Sequence, residues 1–205
     1  MLHRNAVLPE TMELLTGIMS KDALSGFYLA GGTALALQIG HRISVDLDLF
    51  GRRPFEPQDI LDELKDYKPV SIMAQSKNIL ILNVKGVKVD FVNYNYPLIQ
   101  APKEIEGLRL LSIQDIAAMK LSAIAGRGRK RDFYDLFFLL QKFSLDELIG
   151  SYLKKYKEGS ELMIVRSLVY FEDAEEDDEP KLLNINFDWP SIKHKIQQEV
   201  KKKYL

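Results

Sequence analysis

Residues 31–50 read GGTALALQIGHRISVDLDLF. The apolar run Ala34–Ile39 has the length of a short helix. Thr33 is the residue type that caps a helix start through its side-chain oxygen, and Gly40 supplies the stop. Beyond it the pattern changes period. Val45, Leu47 and Leu49 point one way and Asp46, Asp48 and Phe50 the other, which predicts a strand over 44–50. With a short apolar strand at Phe27–Ala30 just upstream, the order is strand, Gly-Gly, helix, strand.

Outward from that stretch, residues 9–24 have helical spacing, with Leu14, Leu15, Ile18 and Met19 on one side. Pro57–Tyr67 is a polar helix with Ile60, Leu61 and Leu64 inward. A strand near 70–75 precedes two more at 79–84 and 87–92, joined tightly by Lys85-Gly86. The stretch NYNYPLIQAPKE is expected to be a loop. From Ser112 onward the pattern is helical, over 112–125, 131–143, 145–157 and 160–171, with a final helix entered through Trp189-Pro190. Ser112 and Asp115 have the spacing of a capping box. The run EDAEEDDE (172–179) is expected to be a solvated loop. The fold class is α+β: a mixed β-sheet with flanking helices in residues 1–107, then a C-terminal helical bundle in 108–205.

Composition narrows the function classes. The 205 residues carry a formal net charge of -1, so no global basic field advertises nucleic acid. There are no cysteines, which removes disulfides, thiolate metal sites and a cysteine nucleophile. No apolar run approaches the roughly 20 residues of a membrane span, and MLHRNAVLPETMELL lacks a signal-peptide core. A cytoplasmic protein without a membrane partner is expected.

Asp46 and Asp48 share a strand face, where two ionised carboxylates repel and cost several kcal/mol if buried unpaired. A divalent cation removes that penalty. Mg²⁺ takes one or two carboxylates and completes its shell with water and phosphate oxygens. In VKVDFV, Val87, Val89 and Phe91 share a face, and Asp90 lies opposite with Lys88. If that strand neighbours the first, Asp46, Asp48 and Asp90 converge as ligands of a two-metal phosphoryl-transfer site. Gly31 and Gly32 let a backbone approach phosphates, and the helix from Thr33 aims amides at them. Together these features outline a nucleoside triphosphate (NTP) site. A nucleotide-binding module without transfer activity and a metal-dependent phosphoesterase are the alternatives.

GGT, a helix, VDLDLF and then VKVDFV resemble the nucleotidyltransferase superfamily that includes DNA polymerase β. With AAMKLSAIAGRGRKRDFYDLFFLL, the likeness narrows to AbiEii-type nucleotidyltransferase toxins. It covers about residues 27–140, and LVYFEDAEEDDEP with the Trp-started helix is similar to that family's C-terminal end.

On a helical wheel Lys120 falls inside the apolar face formed by Ile113, Ile116, Ala117 and Ile124, where it either snorkels to an edge or serves an internal anion. The resemblance implies a nucleotide contact for Lys120 and marks Arg127, Arg131, Asp132 and Asp135 as motif positions. Asp135 is expected near the active site and Asp132 paired to an arginine, while Arg129 and Lys130 are freer. His41 and Arg42 match the family's GHR, with Arg42 either touching phosphate or pinning the strand's entry. The expected activity is Mg²⁺-dependent transfer of a nucleoside monophosphate (NMP) from an NTP to a transfer-RNA end or a protein hydroxyl. Asp46, Asp48, Asp90 and Lys120 are its catalytic set. The resemblance implies the toxin of a toxin–antitoxin or phage-defence system with a cognate antitoxin partner.

Overall fold

A computed structural model describes residues 1–183 and 187–204. They form two compact units, residues 1–96 with 101–112 and residues 97–100 with 113–205.

The first unit is built on a seven-stranded mixed sheet of order β3-β4-β5-β2-β1-β7-β6. Its strands are β1 (Phe27–Ala30), β2 (Leu47–Gly51), β3 (Val70–Ser76), β4 (Ile79–Val84), β5 (Val87–Asn93), β6 (Lys103–Ile105) and β7 (Leu108–Leu110). The helices of this unit are α1 (Pro9–Met19), α2 (Gly31–Ile39) and α3 (Pro57–Leu64). Alternation decides which strand face is buried. Leu47, Leu49, Val89 and Phe91 are fully buried, while Asp48 and Asp90 between them are only partly covered. β2 and β5 run parallel with Asp48 opposite Asp90, and β1 runs antiparallel to β2 with Ala30 opposite Asp48. The two aspartates therefore share one face of adjacent strands, and the chain leaving β1 enters the Gly-Gly turn beside them.

Several elements differ from the sequence expectation. The helix over 9–24 stops at Met19, and a separate 3-10 turn spans Asp22–Leu24. The helix at 57 ends at Leu64 rather than Tyr67. Thr33 is not an N-cap: α2 begins at Gly31 with extended Ala30 as its cap residue. Thr33 is instead buried, its hydroxyl 2.8 Å from Ser44 Oγ and donating to the Asp46 carbonyl. That bond and the bridge of Ser44 to Val7, where Ser44 N donates to Ala6 O at 2.8 Å, take the backbone of 44–46 out of the ladder. β2 consequently starts at Leu47, and Val45 is 47% exposed rather than packed beside it.

The expected loop 93–104 gives its first residue to β5, and its end opens a hairpin, β6–β7, turned at Glu106-Gly107 with positive φ at both positions. β7 then docks parallel on β1. Arg109 on β7 donates to the carbonyls of Met19, Leu24 and Phe27, which anchors the approach to β1.

The second unit is helical among its described residues: α4 (Ile113–Arg127), α5 (Lys130–Leu139), α6 (Leu145–Lys155), α7 (Glu161–Leu168) and α8 (Trp189–Tyr204). Leu205, included in the expected last helix, lies outside the described residues. Phe133, Phe171 and Trp189 meet with ring centroids 5.0–5.8 Å apart. Ser144 and Glu147 form a capping box at the start of α6. The acidic run 172–179 is mostly exposed yet pinned: Glu175 accepts from Trp189 and Lys193, and Asp177 accepts from the Lys130 amide.

Candidate active site

Gly31 carries φ +63°, a left-handed conformation that costs an L side chain roughly 1–2 kcal/mol. A Cβ there would lie 1.9 Å from Asp48 Oδ2, so the carboxylate occupies the space a side chain would need. At Gly32 a Cβ would lie 2.3 Å from Arg42 Nη2, which places the buried guanidinium against the first turn of α2. Arg42 Nη1 also donates to Ile43 O at 3.0 Å, so the side chain ties the entry of the Asp46 segment. The glycine pair is thus needed for close approach of an acid on one side and a cation on the other. Ala30, as N-cap, makes no side-chain capping bond, which leaves first-turn amides of α2 to other acceptors.

Asp90 extends the site across the sheet. Its Oδ2 pairs with Lys88 Nζ at 2.5 Å, from the same strand face, and its side chain is 16% exposed. Its Oδ1 is buried and, among the described residues, makes no hydrogen bond. A buried acceptor left unsatisfied costs about 1–3 kcal/mol. Asp46 sits just ahead of β2, partly covered, with its carbonyl held by Thr33.

Among the described residues no three His, Asp or Glu side chains lie close enough to hold a metal ion by themselves. The donor chemistry nonetheless fits Mg²⁺. Asp48 and Asp90 are in register on neighbouring strands, Asp90 has an unsatisfied oxygen, and Mg²⁺ needs only one or two carboxylates beside water and phosphate.

In the helical unit Lys120 is buried with its ammonium 2.8 Å from Asp132 Oδ1 and 2.5 Å from Asp135 Oδ2. Arg127 Nε adds a bond of 3.0 Å to Asp132 Oδ2. Burial pushes the Asp132 carboxyl up, but the charges of Lys120 and Arg127 and their hydrogen bonds prevail and hold it below the usual carboxylate range. Lys120, Asp132, Asp135 and Arg127 therefore form one ion cluster that joins α4 to α5, and Lys120 does not snorkel. Arg131 is exposed. Arg129 and Lys130, expected to be freer, are anchored: Arg129 pairs with Asp177 at 2.8 Å, and buried Lys130 donates to the carbonyls of Glu175 and Asp177.

A second buried pair had no legible signal in the sequence. Lys155 and Asp115, both side chains fully buried, lie 2.8 Å apart, and Asp115 also accepts from the amides of Ile99 and Gln100. Ser44 was likewise missed, because its role depends on Thr33 reaching it across eleven residues.

The profile of the family described as nucleotidyl transferase AbiEii toxin, type IV toxin–antitoxin system, matches residues 13–97 and 83–202. An uncharacterized protein from Aquifex aeolicus is 42% identical over 174 residues, 82% of this chain and 84% of that one. Among solved structures, JHP933 from Helicobacter pylori is similar with a TM-score of 0.57 and 23% identity, covering 97% of this chain and 93% of that chain. MenT4, a nucleotidyltransferase toxin from Mycobacterium tuberculosis, also reaches 0.57 at 15% identity, covering 94% of this chain and 84% of that chain. At these identities the structural likeness establishes the mixed α/β fold.

Proposed function

Because the chain belongs to the AbiEii family of nucleotidyl transferase toxins, and is thereby a nucleotidyltransferase, we propose that Asp46, Asp48 and Asp90 form its transfer centre beside the Gly31-Gly32 turn. The observation that carries this reading is the parallel register of Asp48 with Asp90, combined with the buried, unsatisfied Oδ1 of Asp90. The substrate is an NTP, and the acceptor is the hydroxyl of an RNA end, as in transfer RNA, or of a protein. The biological role is that of a toxin whose action a cognate antitoxin opposes, in a toxin–antitoxin or phage-defence system.

Mg²⁺, held by Asp48 and Asp90 and completed by water and phosphate oxygens, would neutralise phosphate charge and screen the carboxylates from one another. The chain's own groups account for the rest. Amides of Gly31, Gly32 and Thr33 at the start of α2 bind phosphate oxygens. Thr33 contributes its amide because its hydroxyl is committed to Asp46 O. Arg42 adds positive charge beside Gly32. The acceptor oxygen bonds to the α-phosphorus as the bond from that phosphorus to pyrophosphate breaks, with the electron pair leaving on pyrophosphate. The acceptor proton passes to the Asp90 carboxylate. For Lys120, Arg127, Arg131 and Asp135 the family resemblance supports nucleotide contact.

The test incubates purified protein with labelled NTPs and Mg²⁺ or EDTA, in separate reactions with total RNA and with nuclease-treated cell protein. Label enters one acceptor class with Mg²⁺ present and not in EDTA, and Asp48→Ala or Asp90→Ala abolishes it. Full transfer by either variant would remove these carboxylates from the mechanism.

A further inference from the structure

The two edges of the sheet are treated differently. β6 is three residues long and carries Lys103 and Glu104, charges that discourage further strand pairing. β3, at the opposite edge, has seven residues, Val-Ser-Ile-Met-Ala-Gln-Ser, with no charge and no proline among them and a bulge between Ile72 and Ala74, so its regular ladder is the stretch up to Ile72. All but Val70 are exposed, Ile72 by 49% and Met73 by 57%. Among the described residues no strand pairs with its outer side.

The ladder shows which groups face outward. Lys85 N donates to Pro69 O at 2.9 Å, which makes 69 and 85 a hydrogen-bonded pair. Such pairs alternate with non-bonded ones in antiparallel strands. Val70 and Ile72, opposite Val84 and Leu82, therefore direct their amides and carbonyls away from β4.

The ends of α3 lie near the ends of β3 in reverse order. An open recess lies where Leu61 and Lys65 meet Lys68 and Val70, and a second, mostly polar one lies where Phe55, Glu56 and Pro57 meet Gln75, Ser76 and Lys77. The edge thus has a recess at each end, one under a pair of lysines.

We propose that β3 and α3 form a docking groove for an extended segment of a partner protein, which adds to the sheet as an antiparallel strand. Outward groups of Val70 and Ile72 supply the backbone bonds, and an apolar side chain of the segment enters the recess at Leu61 and Val70. Antiparallel addition brings the segment's C-terminal end to Lys65 and Lys68, so the partner is acidic there. A second copy of this chain fits poorly. Antiparallel β3–β3 pairing centred on Met73 would set Lys77 of each copy opposite Pro69 of the other, diagonal to its Lys68, and like charges that close across a ladder repel.

The probe is a labelled peptide that alternates valine with threonine and ends in two aspartates, titrated into the full chain by fluorescence polarisation. Saturable binding is expected, lost in Ile72→Pro, which deletes an outward amide and no β4 bond. In Lys65→Glu/Lys68→Glu it weakens at least tenfold, and a peptide ending in two lysines does not bind. In the unaltered protein, peptide slows hydrogen exchange at Val70 and Ile72, a readout that does not depend on any variant folding. Absence of binding, binding indifferent to Ile72→Pro, or a free chain that sediments as a dimer and becomes monomeric in Ile72→Pro would each overturn the proposal.

Discussion

Gly31→Ala is the sharpest test of how the site is built. The substitution adds one methyl group but meets two obstacles. At φ +63° an alanine costs roughly 1–2 kcal/mol, because its Cβ crowds the backbone. The Cβ would also lie 1.9 Å from Asp48 Oδ2, where real Cβ contacts almost never fall below 3.0 Å. The carboxylate must retreat by about 1 Å, and a displacement of that size at a reacting group lowers turnover by about 10²-fold. The backbone strain alone lowers the melting temperature by roughly 2–8 °C, at about 2–4 °C per kcal/mol for a chain of this size. The assays are calorimetry and label transfer from NTPs in the acceptor extract. Gly126→Ala is the control, since a Cβ there meets nothing within 4 Å. Gly32→Ala should fall between the two, because the atom it meets is the movable end of Arg42. Wild-type transfer and melting in Gly31→Ala would refute the claim that this glycine exists to admit Asp48.

Other outcomes follow from the buried polar groups. Thr33→Val, which removes the hydroxyl bond to the Asp46 carbonyl, should cost about 1–2 kcal/mol in urea unfolding and lower transfer. Lys120→Met withdraws the ammonium between Asp132 and Asp135 and should destabilise by about 3–5 kcal/mol, with Lys120→Met/Asp135→Asn recovering part of the loss. Lys155→Met should cost a similar amount in urea unfolding, because Asp115 stays buried without that cation. The lowered Asp132 pKa sets a pH dependence. Its contribution is fully present above the unfolded value of 3.8, declines as pH falls from there, and is gone once pH has passed through the lower folded value, so acid unfolding followed by circular dichroism should lose this contribution progressively below 3.8. In Asp132→Asn that component of the acid transition should disappear.

Much of the candidate site was legible because its signals are local. The alternation at 47–50 and 87–92 assigns Asp48 and Asp90 to the less buried strand faces, whatever the neighbours are. Gly40 in the left-handed region ends α2, and Lys85-Gly86 with positive φ at both positions turns the β4–β5 hairpin. The Lys120 anomaly was visible on a helical wheel, but its partners were not, since twelve and fifteen residues separate it from Asp132 and Asp135. The β6–β7 hairpin was missed although Glu106-Gly107 between Ile105 and Leu108 is a turn signal, because three-residue strands offer too little alternation to detect.

Sequence by itself determined the order of the longer elements, the faces of β2 and β5 and the residue types of the candidate site, because period and turn chemistry act between near neighbours. Only the tertiary structure decided that β5 lies beside β2 with Asp90 opposite Asp48, and that Thr33 holds the Asp46 carbonyl rather than capping a helix. It also decided that Lys120 is locked between two aspartates. Strand neighbours and buried ion partners are chosen by the burial and pairing free energy of the whole unit, which no window of adjacent residues contains.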